Sequence, residues 1–194
     1  MFSLLKPAES KIRHWLATAQ NLPLSYGPAG FTEGASELSQ TPHGFVRDHT
    51  RSEIGRGKAQ FQAAKYGFRA WAQFDLGWVR VVNAGTAIDP GQVVAVEAHT
   101  LGIWSVNISR ILYVIDEETR FGFGYGTTPL HVERGEERFL LEFDPASEAV
   151  HYDLLAISQP AHWLAKLGHP YARSQQRRFA RESHRRMRNL LSGT

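Results

Sequence analysis

The sequence predicts an α+β fold in which a curved antiparallel sheet of about six to seven strands is closed by a long C-terminal helix. Beyond residue 74 the apolar period changes from 3.6 to 2 and stays there to residue 157. The breaks between strand candidates are short, with "DPG" at 89–91, "DEET" at 116–119 and "DPASE" at 144–148. Links of that length make hairpins and leave no room for crossover helices. The chain then ends in a helical stretch, residues 171–190, with an apolar arc along one side.

The elements follow in order. A first helix spans residues 7–20: Pro7 suits the first turn, Ile12, Trp15, Leu16 and Ala19 fall at helical spacing, and Pro23 ends it. Residues 1–22 thus form a helical extension. Residues 25–44, rich in Gly, Pro, Ser and Thr, read as an irregular connection anchored by Phe31. A strand at 45–54 leads into a helix carrying Phe61, Ala64, Phe68 and Trp71 on one side. Strands follow at 78–82, 93–100, 109–115, 121–127, 136–143 and 150–157. The last helix covers 160–190, interrupted near "GHP" at 168–170. Its arc comprises Tyr171, Ala172, Gln175, Phe179 and Leu190, with Arg173, Arg177, Arg181, Arg185 and Arg188 opposite, on a solvated face.

At 194 residues, 42% hydrophobic and 21% charged, the chain has the size and composition of one globular domain, 1–194. Cysteine is absent, which removes disulfides, thiolate catalysis and cysteine-ligated metals. No apolar run approaches the roughly 18 residues of a membrane span, so a cytoplasmic location without a transmembrane segment is expected. The net charge of +3 is unevenly distributed: from Ala161 onward there are eight Lys or Arg and one acid, and the remainder is net acidic. No basic surface interleaved with aromatics is legible, so no specific nucleic-acid partner is expected.

"FGFGYG" at 121–126 separates Phe121, Phe123 and Tyr125 from Gly122, Gly124 and Gly126 on opposite strand faces. No helix follows, which excludes a phosphate loop. The bare face serves curvature, close packing of another element, or ligand space. "GRGKAQF" at 55–61 lacks the third glycine of a dinucleotide fingerprint and reads as a tight strand-to-helix turn.

Strand 136–143 sends Glu137, Phe139, Leu141 and Phe143 to one face and Glu136, Arg138, Leu140 and Glu142 to the other. Glu137 on an apolar face needs a partner, for which Arg110 and His131 are the candidates; it is either a structural ion pair or a polar anchor in a pocket. A bulge at Gly135 would alter the facing of the residues before it. Trp104, in "LGIWSVN", marks a strand end at the sheet rim, where Tyr125, His131 and Arg110 would gather if adjacent hairpins pair in order. His131 and Glu133 without further histidines are too few for a metal site, and no nucleophile elbow frames a hydrolytic triad. No metal or cofactor is expected.

"IGRGKAQFQAAKYGFRAW", "FDLGWVRVV", "TLGIWSVNISRILYVIDEETRFGFGYGTTPLHVERGEERFLLEF", "HYDLLAISQP" and "QRRFARES", in that order, closely resemble uncharacterised protein family 0548 of bacteria and plants. In that family a Pro-Gly usually precedes the histidine where this chain has "TTPL" at 127–130. The order of elements is similar to the helix-grip superfamily of lipid-transfer domains, pollen allergens and polyketide cyclases. That similarity implies a small apolar or amphipathic ligand held between sheet and C-terminal helix, and the residues singled out above from the strand pattern, Trp104, Arg110, Tyr125, His131 and Glu137, are the candidates to contact it. Two other functions stand beside it. One is a cyclase- or isomerase-like enzyme using Glu137 and His131 as acid and base; the other is an interaction or membrane-surface protein working through the basic last helix.

Overall fold

The computed structural model describes residues 1–34, 40–161 and 169–193. Along the chain lie β1 (Phe2–Ser3), α1 (Glu9–Ala19), β2 (Val46–Arg56), α2 (Gly57–Arg69) and a 3-10 turn (Ala72–Phe74). There follow β3 (Val79–Val81), β4 (Val93–Thr100), β5 (Ile103–Asp116), β6 (Arg120–Thr127), β7 (Glu133–Phe143), β8 (Ala149–Pro160) and α3 (His169–Ser192). The expected beginning of the last helix falls partly on 162–168, outside the described residues.

Seven strands form one curled antiparallel sheet in the order β2-β8-β7-β6-β5-β4-β3, the hairpins pairing in sequence as short links dictate. β2, made before the hairpin series begins, pairs with β8 and extends the sheet beyond its last strand. β5 begins at Ile103, earlier than expected, because β4 continues to pair with it past the end of β6. The two-residue β1 pairs with that overhanging part of β5, setting Phe2 opposite Ser105 and Ser3 opposite Trp104.

Both faces of the sheet are covered. On the concave side, Phe121, Phe123 and Tyr125 of β6 and Phe139 of β7 meet Phe68, Trp71 and Phe74 from α2 and the turn after it. Phe123 stacks on Phe139 at 5.1 Å between ring centroids, and Trp71 meets Phe123 edge-on at 5.2 Å. From α3, Phe179 lies 5.2 Å from Phe74. Offset and edge-to-face rings of this kind fill space densely and fix one another's orientation. On the convex side, Ile12 and Ala19 of α1 pack on Val93, Ala95, Val106 and Ile108.

The glycine face of β6 turns away from α2 and α3 and is packed by the protein itself. A Cβ on Gly124 would run into the Tyr113 ring, and one on Gly126 into the Tyr26 hydroxyl. Tyr26 belongs to the segment before β2, which crosses this face and is held by Glu136. That buried carboxylate accepts hydrogen bonds from the Tyr26 hydroxyl at 2.8 Å, the Gly30 amide at 2.5 Å, and the Thr32 amide and hydroxyl at 3.0 and 2.8 Å. Close packing therefore explains the glycines, and ligand space on that face does not.

The buried side of α3 is rotated from the expected arc. Ser183, His184, Met187 and Leu191 are buried, Phe179 and Leu190 are half-buried, and Tyr171 is exposed. Arg173, expected on the solvated face, turns toward the sheet and makes a two-pronged ion pair with Asp48. Arg188 is exposed yet donates to the Glu53 carbonyl at 3.1 Å. Arg177, Arg181 and Arg185 are exposed, as the arginine spacing predicts.

Candidate functional site

The register of the sheet aligns residues from five strands in one row on the concave face: Asp48, Ala156, Glu137, Tyr125 and Ile111. Directly paired residues of antiparallel strands share a face, so strict alternation along each strand suffices to bring them together. The β7–β8 register runs without a shift from Glu133 through Gly135, so no bulge alters the facing of the residues before that glycine.

At the centre of the row, the Tyr125 hydroxyl donates to the Glu137 carboxylate at 2.6 Å. Burial pushes the Glu137 carboxyl up to about 7; the Tyr125 hydrogen bond opposes that shift, while the negative charges of Glu133 and Asp48 add to it. Burial beside this carboxylate drives the Tyr125 phenol well above its ordinary range, so it remains a donor. The Glu137 side chain is half-buried, which leaves its carboxyl within reach of solvent.

A polar chain bridges α3 to the sheet beside this pair. Gln176 donates to both oxygens of Glu133, at 2.9 and 2.7 Å, and accepts from Arg173 at 3.1 Å. Arg173 holds Asp48, with one arm at 2.6 Å. Burial raises the Glu133 carboxyl, and the Gln176 and Ser158 contacts partly offset this. Among the described residues, three carboxylates thus share this end of the concave face with one guanidinium. The arrangement can accept hydrogen bonds, receive a cationic group, or exchange a proton at Glu137 near neutral pH. Among the described residues, no three His, Asp or Glu side chains come together to hold a metal ion.

Of the five residues singled out in the sequence, the fold brings Tyr125 and Glu137 together and disperses the rest. Arg110 shares the convex face with α1, where one guanidinium nitrogen donates to the carbonyls of Ala19, Gln20 and Leu22 at 2.8, 3.0 and 2.8 Å. It caps a helix C-terminus, where a cation complements the exposed carbonyls. The His131 ring accepts from the Glu133 amide at 2.9 Å, and burial drives its pKa down to about 3, leaving a neutral imidazole and a weak base. Trp104 stacks on His99 at 4.3 Å near the β4–β5 turn. Glu137 therefore finds its partner in Tyr125 and not in Arg110 or His131.

The sequence pattern singles out neither Asp48 nor Gln176, offers Glu133 only as one of too few metal ligands, and puts Arg173 on the solvated face. For the two residues on α3 a signal exists: positions 173, 176, 180, 184, 187 and 191 recur at steps of three and four, the spacing of one helix face, with 183 beside them. Its first members are polar, so an apolar count slides past them.

A curled antiparallel sheet gripped by a C-terminal helix is a helix-grip fold. By sequence, the chain belongs to the family described as "Domain of unknown function (DUF1990)", whose model matches residues 26–186. A UPF0548 protein of Deinococcus radiodurans is 34% identical over 193 residues, covering 93% of this chain and 94% of that protein. A UPF0548 protein of Dictyostelium discoideum is 31% identical over 199 residues, covering 94% and 92%. Among solved structures, protein Ms6760 from Mycobacterium smegmatis has a TM-score of 0.52 at 14% identity, covering 76% of this chain and 91% of that one, and supports the fold alone. No helix among the described residues is long and apolar enough to cross a membrane.

Proposed function

We propose that the protein binds a small amphipathic ligand at the Tyr125–Glu137 end of the concave face, with α3 closing over it. The observation that carries this reading is a carboxyl raised to about 7 where an aromatic core meets a polar row. A core built for stability alone gains nothing from a half-buried carboxylate, whereas a ligand site uses one as a directional anchor in apolar surroundings. The ligand's apolar part would lie toward the half-buried Phe179, and its hydroxyl, carbonyl or amine would face Glu137. A general acid or base role draws on the same carboxyl, with Tyr125 and not His131 as the second group.

Native mass spectrometry of the gently purified protein would detect a retained ligand. Saturable binding of an environment-sensitive apolar dye, displaced by an amphipathic competitor, checks the same site. Glu137→Gln should weaken polar-headed ligands by about tenfold while leaving purely apolar ones within about twofold. Absence of both retained ligand and dye binding in the folded protein would overturn the proposal.

A further inference from the structure

Of the eight large apolar side chains exposed among the described residues, five gather at one place: Phe2 (71% exposed), Leu4 (80%), Leu5 (79%), Leu101 (82%) and Ile103 (42%). The pairing of Ser3 with Trp104 brings the segment after β1 alongside Ile103 and the β4–β5 turn. The result is one apolar tip on the overhanging end of the β4–β5 hairpin.

The turn itself marks this tip as more than stray exposure. Thr100 pairs with Ile103, so Leu101 and Gly102 form a two-residue hairpin loop, and φ is positive at both, 51° and 75°. Such loops strongly favour Asn-Gly or Asp-Gly, because a branched side chain is strained in the left-handed region. Here the position holds leucine, and the leucine points into solvent. At 82% exposure the leucine buries little against the rest of the protein to offset that strain, which directs attention to a contact outside the fold.

The surroundings of the tip indicate which contact. Behind it, Trp104 stacks on His99, and the Lys6 ammonium lies 5.2 Å from the centre of the Trp104 ring. Lys6 and Arg80, both more than half exposed, share one buried carboxylate, Glu97, at 3.9 and 3.1 Å. The pair thus leaves an excess of positive charge at the surface. An apolar point backed by a tryptophan and cations matches the layers of a lipid leaflet: acyl chains, interface, anionic headgroups. A protein partner fits less well, since five side chains on a convex tip offer on the order of a few hundred Å², short of the ~800 Å² each side of a stable interface buries.

We propose that this tip is a docking surface for an anionic lipid membrane, with Leu101 and its neighbours entering the leaflet and Lys6 and Arg80 meeting the headgroups. It is separate from the basic face of α3 and does not depend on the ligand site. Co-sedimentation of the full chain with phosphatidylcholine vesicles, with and without about 30% phosphatidylserine, tests it. Binding should be saturable, stronger to the anionic vesicles and weakened by salt. Leu101→Asn installs the favoured turn residue, so the thermal midpoint should hold or rise while vesicle affinity falls about tenfold. Leu4→Ser combined with Leu5→Ser removes apolar surface without touching the turn and should produce a similar loss. Failure of the wild-type chain to sediment, or wild-type binding by both variants, would overturn the proposal. So would a lipid-free dimer that Leu101→Asn dissociates, which would assign the tip to a second copy of the chain.

Discussion

The Tyr125 hydroxyl and the Glu137 carboxylate, 2.6 Å apart, occupy directly opposed positions of β6 and β7. Each therefore holds the other in place through the register of the sheet. The pair makes the concave face polar at one end while Phe123 and Phe139, the next opposed pair on that face, keep it apolar beyond.

Glu137 should make stability depend on pH in a defined direction. Its carboxyl titrates near 7 in the folded protein and near 4.5 when unfolded. Between those values the folded state binds more protons, so this group's contribution is fully present below 4.5 and is lost as pH rises through 7. One pKa unit corresponds to about 1.4 kcal/mol, so the loss is of order 2 kcal/mol once partial solvent access is allowed for. Urea unfolding at several pH values should show that dependence flattened in Glu137→Gln.

His184 should act in the opposite sense. It lies between the Thr50 and Ser52 hydroxyls, at 3.0 and 2.8 Å, and against the Tyr152 ring. Burial and the nearby Arg188 charge lower its pKa from 6.5 to about 4. The unfolded chain binds the extra proton in that window, so stability is lost as pH falls from 6.5 through 4. His184→Gln should reduce this acid sensitivity by about 2 kcal/mol, read from unfolding midpoints at pH 7 and pH 4.5. Glu137 opposes His184 across much of this range, so the two effects separate only in the single variants.

Gly124 and Tyr113 should be energetically coupled. Gly124→Ala places a methyl group in the Tyr113 ring and should destabilise the fold by about 2 kcal/mol. Tyr113→Ala vacates that space, so the double variant should be more stable than the sum of the two singles by about 1 kcal/mol or more. Strict additivity in a double-mutant cycle would show that the contact carries no strain.

Glu136 should behave as the clasp of the segment that crosses the convex face. Glu136→Ala leaves the Gly30 and Thr32 amides and the Tyr26 hydroxyl without their acceptor and should cost about 3 kcal/mol. Proteolysis should then accelerate at residues 25–34, ahead of global unfolding. Unchanged cleavage would mean that Phe31, packed between Tyr26 and Phe45, holds the segment by itself.

Much of the fold was legible because it follows from local rules. Period-2 alternation, short turn-rich links and an amphipathic last stretch together require hairpins paired in order and a helix laid over them. The opposed faces of β6 and β7 were readable for the same reason, since alternation is a property of the single strand. On β7 the apolar set Phe139, Leu141 and Phe143 already put Glu137 on the core side, but which face of β6 turned inward was not readable, because both sides of this sheet are covered. Tertiary structure decided that the aromatic face of β6 meets the core and its glycine face lies under the crossing segment that Glu136 holds. It also decided the partners. Asp48 and Glu137 share a row only because β2 returns to pair with β8, and Arg173 reaches Asp48 only because of how α3 is rotated on the sheet. Register and rotation are set by the simultaneous packing of distant segments, and a pattern read along one strand or one helix holds no record of them.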